Sequence, residues 1–148
     1  KNCKKLVLLN SNYWADSPEK RLERERVASL AKTSKSLFIN KAIPSLFTDA
    51  ELNKKEIAKL INTALDMTPE AISAISIAMS FRKNWQVFKP LKDFYIIHGL
   101  LDKMYLEHQP AEMLFSKEQV FKIENVGHMS YIENPIAVSS ILQAILSN

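Results

Sequence analysis

The chain has 148 residues, 47% of them hydrophobic and 24% charged, which is enough to build one domain with its own core and excludes a disordered chain. Its net charge of +4 is the small difference between 20 basic and 16 acidic residues, and the densest run, Glu19 to Arg26, alternates sign as a solvated helix face does, so no nucleic-acid partner is expected. No apolar run approaches the roughly 20 residues of a membrane helix, and the single cysteine, Cys3, fits a reducing compartment, so the expected location is cytoplasmic with no membrane partner.

The chain opens Lys1-Asn2-Cys3 and enters an apolar run within five residues, so it is expected to begin inside a longer gene product. That run, Lys4 to Leu9, has the continuous apolar character of a buried parallel strand and ends at Asn10-Ser11-Asn12. Ser17-Pro18 then predicts a helix start, with Ser17 as N-cap and a helix to about Thr33 whose thin apolar stripe is Leu22, Val27 and Leu30. A short helix is expected from Lys35 to Phe47, interrupted near Pro44. Thr48-Asp49-Ala50-Glu51 reads as a capping box opening the next helix, with Ile57, Leu60, Ile61, Ala64 and Leu65 as its core face. Thr68-Pro69 starts another helix to about Lys83, with Ile72, Ile75, Ala78 and Met79 at helical spacing.

The second strand is expected over Asp93 to His98, ended by Gly99. A helical stretch from Met104 to Phe115 follows, with Pro110 inside it. Val120 to Glu124 is the third strand, closed by Asn125-Val126-Gly127. Asn134-Pro135 opens the last helix, with Val138, Ile141, Leu142, Ile145 and Leu146 as its apolar face. Strand, long helical insert, strand, helix, strand, helix is the order of an α/β sheet of parallel strands with right-handed crossovers. The expected division is 1–12 and 89–148 in the sheet layer and 13–88 in the helical insert.

Glycine is scarce: Gly99 and Gly127 are the only two, and both end strand-like runs, which suggests tight turns that need a permissive backbone. Each is followed by an ionisable group, Asp102 after Gly99-Leu100-Leu101 and His128 directly after Gly127. Sites in open parallel sheets form at the carboxyl ends of strands. An acid and a histidine delivered there by neighbouring strands suit general-base chemistry, since a carboxylate on Nδ1 orients the ring and leaves Nε2 to accept a proton. From spacing alone Asp102 reads equally as a turn carboxylate and His128 as a cap near the last helix.

The segments Ile96-Ile97-His98-Gly99-Leu100-Leu101-Asp102 and Val126-Gly127-His128-Met129-Ser130-Tyr131-Ile132-Glu133-Asn134-Pro135 together resemble the end of an α/β-hydrolase, and Lys5 to Ser11 resembles the strand that precedes the helical cap in that family. The resemblance covers the whole chain. It implies a partial α/β-hydrolase fold, three parallel strands with flanking helices and a cap insertion, in which Asp102 and His128 match the acid and base of a catalytic triad. The nucleophile elbow, Gly-x-Ser-x-Gly, cannot be written with glycines only at 99 and 127, and the oxyanion loop is missing too.

The intact protein is therefore expected to be an esterase- or lipase-like hydrolase with a Ser-His-Asp mechanism, acting on a small apolar or acyl substrate gated by the cap, and the 148 residues alone are expected to be inactive. Epoxide, haloalkane or carbon–carbon bond hydrolysis on the same fold stays open, as does a non-catalytic binding protein. Asn10 and Asp16 follow the first strand, where some family members place the acid. His98 reads as a packed strand histidine and His108 as an exposed one. The aromatics Trp14, Phe38, Phe47, Phe81 and Trp85 serve either as core or as pocket lining. No metal spacing or phosphate-binding glycine motif occurs, so no cofactor is expected. The first strand, lacking an upstream neighbour, is expected to leave an edge at Leu6–Leu9 open to self-association.

Overall fold

The three strands are apolar runs, β-branched and aromatic in the second and third and leucine-rich in the first, and they pair in parallel. The computed structural model describes residues 4–83, 93–106 and 115–147. Strand β1 spans Leu6–Leu9, β2 Phe94–Gly99 and β3 Val120–Ile123, in the order β1-β2-β3. The registers Leu9 to Ile97 and Gly99 to Ile123 bring the three carboxyl ends to one edge.

Helices α1 (Pro18–Ala42), α2 (Lys54–Leu65) and α3 (Pro69–Ser80) lie between β1 and β2 in sequence, and α4 (Lys103–Leu106), α5 (Ser130–Glu133) and α6 (Pro135–Ser147) follow β2. The chain divides into two compact units: residues 1–12, 46–49 and 88–148 form one, and 13–45 with 50–87 form the other. Residues 46–49, placed in the insert by sequence, thus belong with the sheet.

In the sheet unit, α6 packs its Val138 and Ile145 against Ile97, Ile123 and Val126, with Ile141 and Leu142 half-buried at the margin. Leu146, expected on that face, is exposed. The Asn134 side chain accepts from Ala137 N at 3.1 Å and caps the helix as its sequence predicts. Phe94, Ile96 and His98 are buried and, alternating with Tyr95 and Ile97, occupy the other face. Phe94 stacks on Phe115 with ring centroids 5.1 Å apart. Of the expected Met104–Phe115 helix, α4 covers residues up to Leu106, Phe115 is not helical, and residues 107–114, with His108 and Pro110, lie outside the described residues, as do Cys3 and Trp85.

In the helical unit, Ser17 caps α1 by accepting from Lys20 N at 3.2 Å, and Thr68 caps α3 by accepting from Ala71 N at 3.1 Å. The expected break after Thr33 appears as a kink at Ser34, φ −149° and ψ 49°. The helix faces differ from those expected. Leu22 is 53% exposed and Ile75 50%, Leu30 and Ala78 are also exposed, and the buried positions are Ala28, Ala31 and Ile39 on α1 and Ser73, Ser76 and Ser80 on α3. Small residues let α1 and α3 approach closely, and two of the buried hydroxyls have acceptors: Ser76 Oγ donates to Arg24 O at 2.9 Å and Ser80 Oγ to Ile77 O at 2.7 Å.

Helix α2 starts at Lys54 rather than at the capping box, and Asn53 stands at its N-cap position without a side-chain capping bond to the helix. Thr48 cannot cap it because its N–H and hydroxyl both donate to Glu133 Oε1, the N–H at 2.7 Å. Of the expected α2 face, Ile57 is buried and Leu60, Ile61, Ala64 and Leu65 are half-buried. No helix among the described residues is long and apolar enough to cross a membrane.

Candidate active site at the carboxyl edge of the sheet

Gly99 sets the geometry. A Cβ there would lie 2.3 Å from Val126 O and 2.4 Å from Gly127 O, so only a residue without one lets the ends of β2 and β3 come together. Neither glycine has positive φ, which corrects the expectation of permissive turns: among the described residues the left-handed positions are Asn10, φ 43°, and Asn125, φ 60°. Gly99 serves close approach, while a Cβ at Gly127 would stand 3.2 Å or more from its neighbours. Beyond Gly99, Leu100 N donates to Ile123 O at 2.9 Å and Leu101 N to Val126 O at 3.0 Å, closing the acid loop onto the end of β3.

Asp102 follows, only 2% exposed. Its Oδ1 accepts from Met104 N at 3.0 Å, and its Oδ2 accepts from the Asn10 carboxamide at 3.3 Å and from His128 Nδ1 at 2.9 Å. An ionised carboxylate requires the His128 proton on Nδ1, which leaves Nε2 as the acceptor. Burial raises the Asp102 carboxyl, but the hydrogen bond and charge of His128, with the donations from Asn10 and Met104, outweigh it and hold the group below the ordinary carboxylate range.

A carboxyl depressed in the folded state contributes stability above its unfolded value of about 3.9 and loses it as pH falls through the lower folded value. Asp102→Asn is therefore expected to destabilise most at neutral pH, and its stability gap to the wild type should narrow steadily below about pH 4. Urea unfolding of both proteins across that window checks this. A gap independent of pH contradicts the account.

The His128 loop is held by its backbone. Gly127 N donates to Glu133 Oε2 at 2.9 Å, Gly127 O accepts from Asn10 Nδ2 at 3.1 Å, and His128 N donates to Leu46 O at 3.1 Å. Glu133 thus ties the loop to Thr48, which explains why residues 46–49 fold with the sheet. The Ser130 hydroxyl, fully buried at 0% exposure, donates to Asn10 Oδ1 and is not presented to a substrate.

Of the residues singled out by sequence, Asp102 and His128 are brought together. Asn10 joins them as an amide donor and not as an acid. Asp16 is taken up elsewhere, its carboxylate accepting from Arg24 Nε at 3.0 Å and Arg82 Nη2 at 2.9 Å. His98 is buried in β2, with Nδ1 3.2 Å from Gly99 O. Among the aromatics Phe47 is buried, Trp14 and Phe38 are half-buried, and Phe81 is exposed, so Phe81 does not pack as core. Among the described residues no three His, Cys, Asp or Glu side chains converge as metal ligands would. Sequence reasoning missed Ser130, Glu133 and Thr48 as supports, because each bonds to a residue far away in the chain.

Comparison with solved structures gives this architecture a class. A thermophilic esterase from Thermogutta terrifontis superposes with a TM-score of 0.79 at 23% identity, over 97% of this chain and 55% of the other. The enol-lactonase from Burkholderia xenovorans does so at 0.74 and 18%, over 97% and 56%, and MenH from S. aureus at 0.78 and 16%, over 97% and 58%. The chain has a partial α/β-hydrolase fold. It spans little more than half the length of these structures. No family model and no curated protein matches the sequence.

Proposed function

We propose that this chain supplies the acid, Asp102, and the base, His128, of a cofactor-free esterase- or lipase-like hydrolase that acts on a small apolar or acyl substrate. The nucleophile and oxyanion donors come from sequence beyond these 148 residues. The observation that carries the reading is the 2.9 Å contact of His128 Nδ1 with a buried carboxylate fixed by two further donors. The esterase and the enol-lactonase of like fold favour acyl chemistry.

In this mechanism His128 Nε2 takes the proton of the nucleophilic hydroxyl as it attacks the acyl carbon, and Asp102 stabilises the imidazolium. The proton then passes to the leaving alcohol, and water repeats the sequence on the acyl-enzyme. The test is ester turnover by a longer chain that includes a Gly-x-Ser-x-Gly segment ahead of Lys1, with and without His128→Ala. An aspartate in place of that serine would move the reading to epoxide or haloalkane hydrolysis.

A second expectation concerns β1. Among the described residues it pairs on one side, with β2, and all of Leu6 to Leu9 are half-buried. Such an edge is a template for strand addition, so the 148-residue chain is expected to self-associate through Leu6–Leu9. Sedimentation velocity should show a concentration-dependent dimer that Leu8→Lys disperses, because a charge on an edge strand opposes pairing. A monodisperse monomer at all concentrations sinks the idea.

A further inference from the structure

We infer that Asn10 is a positioning residue for the Asp102–His128 pair, its carboxamide held in orientation by the buried Ser130 hydroxyl so that one carboxylate oxygen faces the imidazole. The inference rests on the proposed reading of that pair as acid and base.

Three observations converge on Asn10. Its backbone is held in the left-handed region, φ 43°, immediately after β1, where asparagine is tolerated far better than a branched or bulky residue. Its Nδ2 reaches both halves of the site at once, Asp102 Oδ2 at 3.3 Å and Gly127 O at 3.1 Å. Its Oδ1 accepts from Ser130 Oγ, at the start of α5, which fixes which end of the amide points to the carboxylate.

The oxygen that Asn10 grips is the one that accepts from His128, while Met104 N holds the other. Two donors on one oxygen and one on the other define both the plane of the carboxylate and its rotation. The second Asn10 donation fixes the carbonyl one residue before the imidazole. One amide therefore sets the relative position of acid and base, which no donor acting on only one of them can do. Neither Asn10 nor Ser130 needs to touch a substrate.

The test is nitrogen-15 NMR of histidine-labelled 148-residue chain. Wild-type His128 is expected in one tautomer, protonated on Nδ1, with a downfield N–H resonance. Asn10→Gly tolerates the left-handed backbone and removes the carboxamide with its methylene. It should lose that resonance to exchange and mix the tautomers, and Ser130→Ala should shift it in the same direction by less. A folded Asn10→Gly with the wild-type resonance and tautomer overturns the inference.

Should Asn10→Gly not fold, the wild type decides. The Asn10 carboxamide protons are expected to exchange with solvent at least about tenfold more slowly than those of the exposed Asn62, and equal rates overturn the inference. In the longer, nucleophile-bearing chain, Asn10→Gly should lower kcat about tenfold with KM little changed, as loss of a charge-assisted hydrogen bond predicts. If His128→Ala leaves ester turnover intact there, the base assignment fails whatever the resonance shows. If turnover needs His128 but ignores Asn10, the positioning role alone fails.

Discussion

Gly99→Ala is expected to destabilise the 148-residue chain by about 3 kcal/mol or more, at the upper end of what overpacking costs. The added methyl would meet two carbonyl oxygens, Val126 O at 2.3 Å and Gly127 O at 2.4 Å, both part of backbone that cannot swing aside as a side chain does. Relief requires β2 and β3 to separate at their carboxyl ends. That breaks the bonds from Leu100 N to Ile123 O and from Leu101 N to Val126 O, and it carries Asp102 away from His128. Gly127→Ala is the control, because its nearest neighbours would stand at 3.2 Å or more and one is the movable Glu133 carboxylate, so its cost should be about 1 kcal/mol or less. Urea unfolding and the melting temperature read both: roughly 6 to 12 °C is expected for Gly99→Ala, and a few degrees for Gly127→Ala. Equal effects would show that close approach at Gly99 is not what fixes the site.

The strands and the last helix were legible because each is encoded locally, whereas the acid–histidine pair was singled out by the resemblance of its two segments to a known family, spacing alone leaving each residue an ordinary structural role. A run such as Phe94 to Ile97 needs only its own apolar, β-branched side chains to be read as a strand. The glycines pointed to the right loops for the wrong reason: sequence suggested backbone freedom, and at Gly99 the structure uses the missing side chain. On α1 and α3 the pattern misled because most of the buried positions are serine and alanine, with Ile39 the one large apolar residue among them, whereas Ile57 on α2 is buried as expected. A search for large apolar residues at helical spacing selects Leu22 and Ile75, which face solvent, and passes over Ala28, Ala31, Ser73 and Ser76.

Long-range polar bonds were invisible in principle. Thr48 and Glu51 have the spacing of a capping box, but a carboxylate 85 residues further on, Glu133, binds the threonine instead. Asn10 looked like a strand terminator or a substitute acid. Its actual bonds run to residues 92 and 117 positions away, and no local rule reports those. What the fold adds to the sequence is thus mostly the support of the pair, and very little of the pair itself.

Under the proposed function, the 148-residue chain alone is expected to turn over no short-chain ester above background. A base and the carboxylate that orients it accelerate acyl transfer by activating a nucleophile, and no Gly-x-Ser-x-Gly segment exists among these residues. Ser130 does not substitute, since its hydroxyl is buried and engaged with Asn10. Triad enzymes stripped of the nucleophile keep roughly 10³-fold over water only where the oxyanion hole and binding survive, and those are also to be supplied from outside. Joined to a nucleophile-bearing segment, the same residues should work at full rate. His128→Ala should then lower kcat by on the order of 10⁴-fold or more, because both proton transfers pass through Nε2. Asp102→Asn should approach the same loss, because an amide presents its NH₂ to Nδ1 and turns the imidazole toward the wrong tautomer. The measurement is release of a chromogenic alcohol by the short chain, the longer chain and the two variants at equal concentration. Turnover by the short chain at the longer chain's rate, or a longer chain indifferent to His128→Ala, overturns the assignment of base and acid.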